Sequence, residues 1–161
     1  MRSDWSDDDC PVARGIDAVG DPWTLLVLRE ALAGARRFEE FRARLGVAEN
    51  VLSSRLRRMV DSGLLERLPY ASGNRTRLEY RITAAGADVL PILHSFARWA
   101  QAHTPTDEGN RLGVVCRACG QDTGPQDACS HCGQPLASAT VSWRRPGAWL
   151  GTTTDLVTPS A

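Results

Sequence analysis

Four cysteines near the C-terminal end of this 161-residue chain have the spacing of a metal site. They form two CxxC pairs with nine residues between them, and a glycine follows each pair: Cys116, Cys119, Cys129 and Cys132, with Gly120 and Gly133. Four thiolates suit the tetrahedral coordination of Zn²⁺, and a CxxC followed by glycine forms a tight turn whose amides can donate to the sulfurs. The pattern predicts a structural Zn²⁺ site, with zinc favoured over iron.

Two disulfides or a thiol oxidoreductase are the alternatives for these cysteines. Duplicated CxxC pairs favour a metal, and no thioredoxin-like βαβ pattern surrounds either pair. Four protein ligands leave no open coordination position, and no other catalytic constellation appears, so we do not expect an enzyme. A loop this small has almost no apolar core, and we expect it to fold only with its metal.

A second group of polar residues, in the middle of the chain, has the chemistry needed to read DNA. Apolar residues at helical spacing predict a helix over about residues 49–62, with one buried stripe: Leu52, Leu56, Met59 and Val60. The opposite face carries Asn50, Ser53, Ser54 and Arg57, and Arg58 lies on the flank. Asparagine can pair with adenine and arginine with guanine or phosphate, while serine can bond to either. The face predicts a DNA-recognition helix, and an ordinary solvated helix is the alternative.

The elements around this helix predict a winged helix-turn-helix. A short helix over Phe38 to Leu45 precedes it, with a tight turn at Gly46. Leu64 to Leu68 and the alternating residues from Leu78 to Ile82 predict two strands around a turn-rich stretch at 69–77. This loop would place three polar residues on the DNA backbone or in the minor groove: Asn74, Arg75 and Arg77.

Further helices flank this unit. One is expected from Pro11 to Gly20, with Cys10 at its N-cap, and another begins at Asp21 and contains Trp23, predicted to be a core residue. A single long helix, bent at Pro91, is expected from Thr83 to about His103. His94, Trp99 and His103 on it are predicted to be surface or dimer-contact residues. Beyond a possible strand at 140–143, we expect the tail to be irregular, or ordered only against another surface.

Charge and composition are consistent with a DNA-binding protein of the cytoplasm. The chain has 19 basic and 19 acidic residues, but residues 36–81 contain 11 arginines against 6 acidic residues, an excess of five positive charges. Such an excess can attract nucleic acid, although it is more often a solvated surface. The start MRSDWSDDDC is acidic, unlike a signal peptide, and no apolar run approaches the roughly 18 residues of a membrane helix. We therefore expect no membrane contact, and disulfides are rare in this compartment.

Three stretches between residues 10 and 103 resemble the HxlR-type winged-helix regulators, which are related to the MarR group. They are CPVARGIDAVGDPWTLLVLREAL, RRFEEFRARLGVAENVLSSRLRRMVDSGLLERLPY and RLEYRITAAGADVLPIL. The resemblance implies a homodimer joined by the N-terminal helix and the long C-terminal helix, with residues 49–62 in the major groove and the hairpin as a wing. The later stretch CRACGQDTGPQDACSHCGQPL resembles the short zinc ribbons of bacterial proteins. Most members of the family end near the long helix and lack such a module.

Cys10 is a candidate redox sensor, because a cysteine at this position senses oxidants or electrophiles in several members of the family. The positive end of the helix dipole would favour its thiolate. Asp7, Asp8 and Asp9 oppose this effect, so an unreactive thiol near the dimer interface is the alternative.

The fold class expected is mainly α with a small β-hairpin wing, plus a small zinc-ribbon-like module. The predicted divisions are 1–104 for the winged helix and dimerisation, 105–114 for a linker, 115–136 for the module and 137–161 for a tail. The resulting prediction is a sequence-specific transcriptional regulator, usually a repressor in such families, that responds to a small-molecule effector or an oxidant. The alternative is a protein-interaction adaptor that docks partners through the zinc ribbon.

Overall fold

The computed structural model describes residues 5–72, 75–105, 111–144 and 153–159, with the backbone alone at Ser72, Arg75 and Thr76. These residues form six helices and five strands in this order: α1 Pro11–Val19, α2 Pro22–Leu32, α3 Phe38–Leu45, α4 Glu49–Asp61, β1 Leu65–Ser72, β2 Arg75–Ile82, α5 Ala84–Ala87, α6 Leu90–His103, β3 Gly113–Cys116, β4 Val141–Arg144 and β5 Thr153–Asp155. None of the described helices is long and apolar enough to cross a membrane.

The helix-turn-helix is formed by α3 and α4. Gly46 ends α3 with a φ of 62°, in the left-handed region that favours glycine, and its amide donates to the Arg42 carbonyl at 2.9 Å. On α4 the buried side chains are Leu52, Leu56 and Met59, as the helical spacing predicts. They pack into the core formed by α2, α3 and the start of the hairpin, whose most buried members include Leu28, Leu32, Phe41, Leu65 and Ile82.

The hairpin is longer than the sequence predicts. β1 and β2 pair antiparallel from Leu65↔Ile82 to Ser72↔Arg75, so most of the stretch predicted as turn is strand. Pro69 lies within β1, opposite Leu78. Proline lacks an N–H and is tolerated here because both strands of a two-stranded sheet are edge strands.

The expected single helix from Thr83 to His103 is wrong. Thr83 caps the short helix α5 by accepting from the Gly86 amide at 3.1 Å, and a second helix, α6, starts at Leu90. Pro91 lies in the first turn of α6, where its missing N–H has no helical partner to lose. The proline therefore marks the start of a helix instead of a bend within one.

The C-terminal region folds around a three-stranded antiparallel sheet in the order β3-β4-β5. β4 confirms the possible strand at 140–143, whereas β5 lies in the tail that was expected to be irregular. The residues after β5 fit the alternative, order against another surface. Leu156 is buried, and the Val157 amide donates to the Leu32 carbonyl at the end of α2, at 2.9 Å. The sheet crosses the predicted divisions, because β3 begins in the expected linker and β4 and β5 lie in the expected tail.

Candidate DNA-binding face and cysteine cluster

The predicted DNA-contacting residues of α4 share one exposed surface, which we call the reading face: Asn50, Ser53, Ser54, Arg57 and Arg58. The apolar residues between them anchor the helix on its other side. Ala48 is the N-cap of α4 and offers no capping side chain, so the first amides of the helix lack that partner. Short polar side chains, two arginines and the helix start therefore lie at one exposed surface.

Two ion pairs fix α4 against the neighbouring helices. Arg55 Nη2 lies 3.0 Å from Asp21 Oδ2, and the same aspartate caps α2 by accepting from the amides of Trp23 and Thr24. Arg42 on α3 pairs with Glu49 at the start of α4, at 2.7 Å. Arg42 and Arg55 are therefore engaged within the protein, whereas Arg57 and Arg58 of the reading face are exposed.

In the wing, residues 65–82, the structure describes the side chain of only one of the three predicted DNA-contacting residues. Arg77 is exposed. The backbone of Arg75 pairs with Ser72, but its side chain and Asn74 lie outside the described residues. Arg81 is paired with Glu79 at 2.7 Å on the same strand.

Arg37 lies beside the wing and was missed by the sequence analysis. Its guanidinium carbon is 4.8 Å from the centroid of the Tyr70 ring, close enough for a cation–π interaction. The Glu40 carboxylate accepts from the amides of Arg36 and Arg37 at 2.7 and 3.0 Å. Partial burial acts to raise the pKa of Glu40, but these hydrogen bonds and the nearby guanidiniums lower it overall. The doubled arginine before α3 is the only local signal for this arrangement.

The four cysteines of the C-terminal region form one cluster. Cys116 Sγ lies 3.8 Å from Cys132 Sγ, Cys119 Sγ lies 3.7 Å from Cys129 Sγ, and all four sulfurs are within 4.8 Å of one another. A tetrahedron with Zn–S bonds of about 2.3 Å has sulfur–sulfur edges of about 3.8 Å. The cluster therefore has the dimensions of a four-thiolate metal site.

Two tight turns present these sulfurs. Gly120 and Gly133 have φ of 72° and 74°, and their amides donate to the carbonyls of Cys116 and Cys129 at 2.8 and 2.9 Å. The His131 amide approaches Cys129 Sγ at 3.4 Å. Burial acts to raise the pKa of Cys129, but donors from the backbone of His131 and Cys132 and from Thr123 lower it to about 6. The lowered pKa favours the thiolate of Cys129, the form that binds metals. Cys119 differs, because a backbone bond from Gln121 acts to lower its pKa but burial and the three neighbouring sulfurs raise it to about 12.

The cysteine cluster is joined to α6 through a buried pair of rings. His94 is 1% exposed, which overturns the prediction that it is a surface or dimer-contact residue. Trp143 Nε1 in β4 donates to His94 Nε2 at 3.0 Å, and His94 Nδ1 lies 3.3 Å from the Gln126 carbonyl oxygen. Because Nε2 accepts, the neutral ring carries its proton on Nδ1 and donates to Gln126. Arg98 adds a bond to the Pro125 carbonyl at 3.3 Å.

Cys10 is exposed and lies at the N-cap of α1, as predicted. Its amide donates to Asp8 Oδ1 at 2.8 Å, and Arg14 Nη1 bonds to the carbonyls of Asp8 and Asp9 at 2.6 and 3.1 Å. Its role as a sensor stays a prediction.

Large apolar side chains on α1 and α6 are exposed. Val12 and Ile16 are 66% and 51% accessible on α1, while Phe96 and Trp99 reach 57% and 60% on α6. These are the two helices through which the family resemblance implies dimerisation. Several large apolar side chains exposed on the same helices are typical of a surface that another protein covers.

The residues that form the helix-turn-helix and wing match a known family. The model of the HxlR-like helix-turn-helix family matches residues 18–108. A relative in Mycobacterium tuberculosis (strain ATCC 25618 / H37Rv), the uncharacterised HTH-type transcriptional regulator Rv3095, is 39% identical over 131 residues. The match covers 81% of this chain and 82% of the relative, which is more than residues 1–104 alone could supply. The likeness therefore continues into the C-terminal region.

Solved structures agree with this assignment. PA1607, described as a candidate transcription factor, superposes with a TM-score of 0.68 and 34% identity, covering 84% of this chain and 94% of that one. The redox regulator HypR in its oxidized form gives a TM-score of 0.54 and 26% identity, covering 60% of this chain and 100% of that one. Together with the exposed reading face on α4 and the hairpin beside it, these matches show that the chain belongs to the HxlR-like helix-turn-helix family of transcriptional regulators.

Proposed function

We propose that this protein regulates transcription by sequence-specific binding to double-stranded DNA, with α4 in the major groove and the wing on the DNA backbone. The observation that carries the proposal is the reading face, where asparagine, serine and arginine side chains project from a helix whose other side is buried. These side chains can bond to base edges, and a recognition helix meets bases through its N-terminal part. Repression is the expected outcome at a promoter.

The active form proposed is a homodimer formed through α1 and α6. Support comes from the exposed apolar side chains on these helices, because such residues gain free energy when a partner removes them from water. A twofold dimer would present two copies of α4 to neighbouring half-sites. Analytical ultracentrifugation tests the assembly, and a monomer at micromolar concentration would contradict it.

Zinc is the metal proposed for the cysteine cluster, in a structural role. The dimensions of the cluster and its closed set of four sulfur donors support this assignment. The residues that would hold the ion are Cys116, Cys119, Cys129 and Cys132. Bound zinc would cross-link the turns that carry these sulfurs.

A response to oxidants is proposed for Cys10. Its exposure and its position before α1 support a reactive thiol, and HypR is itself named a redox regulator. The alkylation rate of Cys10 at neutral pH is the test, with a model thiol as reference. A rate no faster than that of the model thiol would contradict the proposal.

DNA binding is tested by selecting fragments of genomic DNA that the purified protein retains, then measuring affinity for one of them and for unrelated DNA. Arg57→Ala is expected to reduce the preference for the selected fragment by about 1–3 kcal/mol, because a base contact is lost. Arg75→Ala is expected to weaken binding to both DNAs alike. A chain that binds no DNA in a salt-dependent manner would instead be the adaptor considered above.

A further inference from the structure

Arg37 and Tyr70 form a cation–π pair at the edge of the wing, and this pair holds the positive charge of Arg37 in place. The guanidinium of Arg37 is exposed and lies over the ring of the half-buried Tyr70, 4.8 Å from its centroid. Stacking on an aromatic ring holds the guanidinium plane and leaves its N–H groups able to donate at their edge. The position of Arg37 is therefore set before any ligand arrives.

The backbone on both sides of this contact is held in place. The Tyr80 amide of β2 donates to the Arg36 carbonyl at 2.7 Å, which ties the residue before Arg37 to the hairpin. The Glu40 carboxylate binds the amide of Arg37 from the first turn of α3. The start of α3 and the wing thus form one surface.

Arg77 brings a second positive charge to the same face of the hairpin. It pairs with Tyr70 across the strands, and directly opposed residues of an antiparallel pair project to the same side. Glu79 shares this face but is paired with Arg81. Within the part of the chain that the structure describes, no ion pair is formed by Arg37 or by Arg77.

We propose that Arg37, held on Tyr70, and Arg77 form a clamp for a phosphate of the DNA backbone. This inference rests on the proposed function and adds a contact outside the reading face. In helix-turn-helix proteins the first helix of the motif crosses the DNA backbone, and α3 is that helix here. Arginine favours phosphate because its planar donors match the oxygens in pairs. The clamp positions the protein on the duplex without reading its sequence.

The test measures DNA affinity against salt concentration for the full-length protein and three arginine variants. Arg37→Ala and Arg77→Ala are each expected to reduce the slope of log affinity against log salt by about 1, equally on selected and unrelated DNA. Arg67→Ala is the matched control, because Arg67 is exposed on β1 opposite Tyr80, on the other face of the hairpin. Its slope should equal that of the wild-type protein.

Tyr70→Leu tests the stacking while leaving both charges in place. It is expected to lower the affinity for both DNAs severalfold, whereas Tyr70→Phe, which keeps the ring, should bind as the wild type does. Circular dichroism of each variant verifies the fold. The clamp is overturned if the wild type binds DNA but either Arg37→Ala or Arg77→Ala keeps its full salt slope, or if Arg67→Ala loses as much. Absence of salt-dependent DNA binding by the wild type would instead overturn the proposed function.

Discussion

The winged helix and the C-terminal region of this chain achieve a stable structure by different means. The winged helix buries large apolar side chains from several elements, among them Leu28, Phe41 and Leu56. The C-terminal region has short strands and few such side chains, and two of its buried residues are the metal-binding candidates Cys116 and Cys129. A hydrophobic core can hold the first region without a ligand, whereas the proposed metal would supply much of the stability of the second.

The two regions nevertheless share one apolar core. Trp143 is 1% exposed and belongs to the same cluster of buried residues as the winged helix, and Leu156 joins it from the tail. Two kinds of stabilisation thus meet at one interface. The C-terminal region is therefore packed into the fold of the regulator, although we expect part of its own stability to come from the proposed metal.

Removal of the proposed metal should have the largest effect, and this effect should fall on the C-terminal region. Structural zinc contributes apparent free energies of about 10–16 kcal/mol in small domains at neutral pH. Cys116→Ser is therefore expected to abolish stoichiometric zinc and to make residues 111–144 sensitive to proteases, while α2–α4 keep their helicity. Metal analysis and limited proteolysis with mass spectrometry are the measurements.

Cys10→Ser provides the matched control for this change, because it removes an exposed thiol outside the cluster. Its zinc content and its proteolysis pattern should match those of the wild type. If the C-terminal region resists proteases after Cys116→Ser and complete removal of metal, its stability does not depend on a metal, and the proposed difference between the two regions is wrong.

Breaking the contact between the two regions should have a smaller effect. Trp143→Phe removes the indole N–H and leaves the acceptor His94 Nε2 buried without its donor. An unsatisfied buried polar group costs about 1–3 kcal/mol, so the free energy of unfolding should fall by this amount. Urea unfolding followed by circular dichroism measures it.

The exposed Trp99 supplies the control, since Trp99→Phe changes the same ring on the outer side of α6. Under conditions where the protein is monomeric, this variant should unfold at the urea concentration of the wild type. Equal losses from both tryptophan changes would indicate that the His94 bond contributes nothing specific to the interface.

The smallest expected effect is a dependence of stability on pH through His94. Burial disfavours the imidazolium and lowers the pKa of His94, and this outweighs the opposing influence of the Gln126 carbonyl and Asp127, while Arg98 lowers it further. An unfolded histidine binds a proton near pH 6.5, so as pH falls below about 7 the unfolded state takes up more protons than the folded state. Stability should therefore be fully present above that pH and decrease by about 1 kcal/mol toward pH 5.5.

His94→Gln should lose this part of the pH dependence, since glutamine does not titrate. Comparing urea unfolding of both proteins at pH 7.5 and pH 5.5 cancels the contributions of the remaining groups. Equal losses of stability in the two proteins would show that His94 does not link the regions through its neutral ring.

The sequence predicts the elements whose signals are local. Leu52, Leu56 and Met59 repeat at helical spacing, and the CxxC pairs bring their sulfurs together through turns of a few residues. The helix break before Pro91 was missed because a proline suits both the first turn of a helix and a bend. The hairpin extends further than expected because strand pairing across the turn overrides the turn propensity of single residues.

Contacts between distant residues could not be predicted in this way. His94 and Trp143 are separated by 49 positions, and neither the helix around the one nor the strand around the other indicates that they meet. The stack of Arg37 on Tyr70 is similar, because an arginine before a helix usually lies in solvent. Burial and pairing of these side chains depend on how the elements pack, which a single sequence leaves open.

The bond from Val157 to the Leu32 carbonyl has a consequence for the order in which the protein is made. Domains tend to fold from the N-terminus during synthesis, and α2–α4 are complete long before residue 157 is added. The end of α2 receives this partner, and the core receives Leu156, only after residues 156 and 157 have been added. Before that point the chain would already carry the reading face while lacking this part of its core, so the helix-turn-helix can form before all of its stabilising contacts exist.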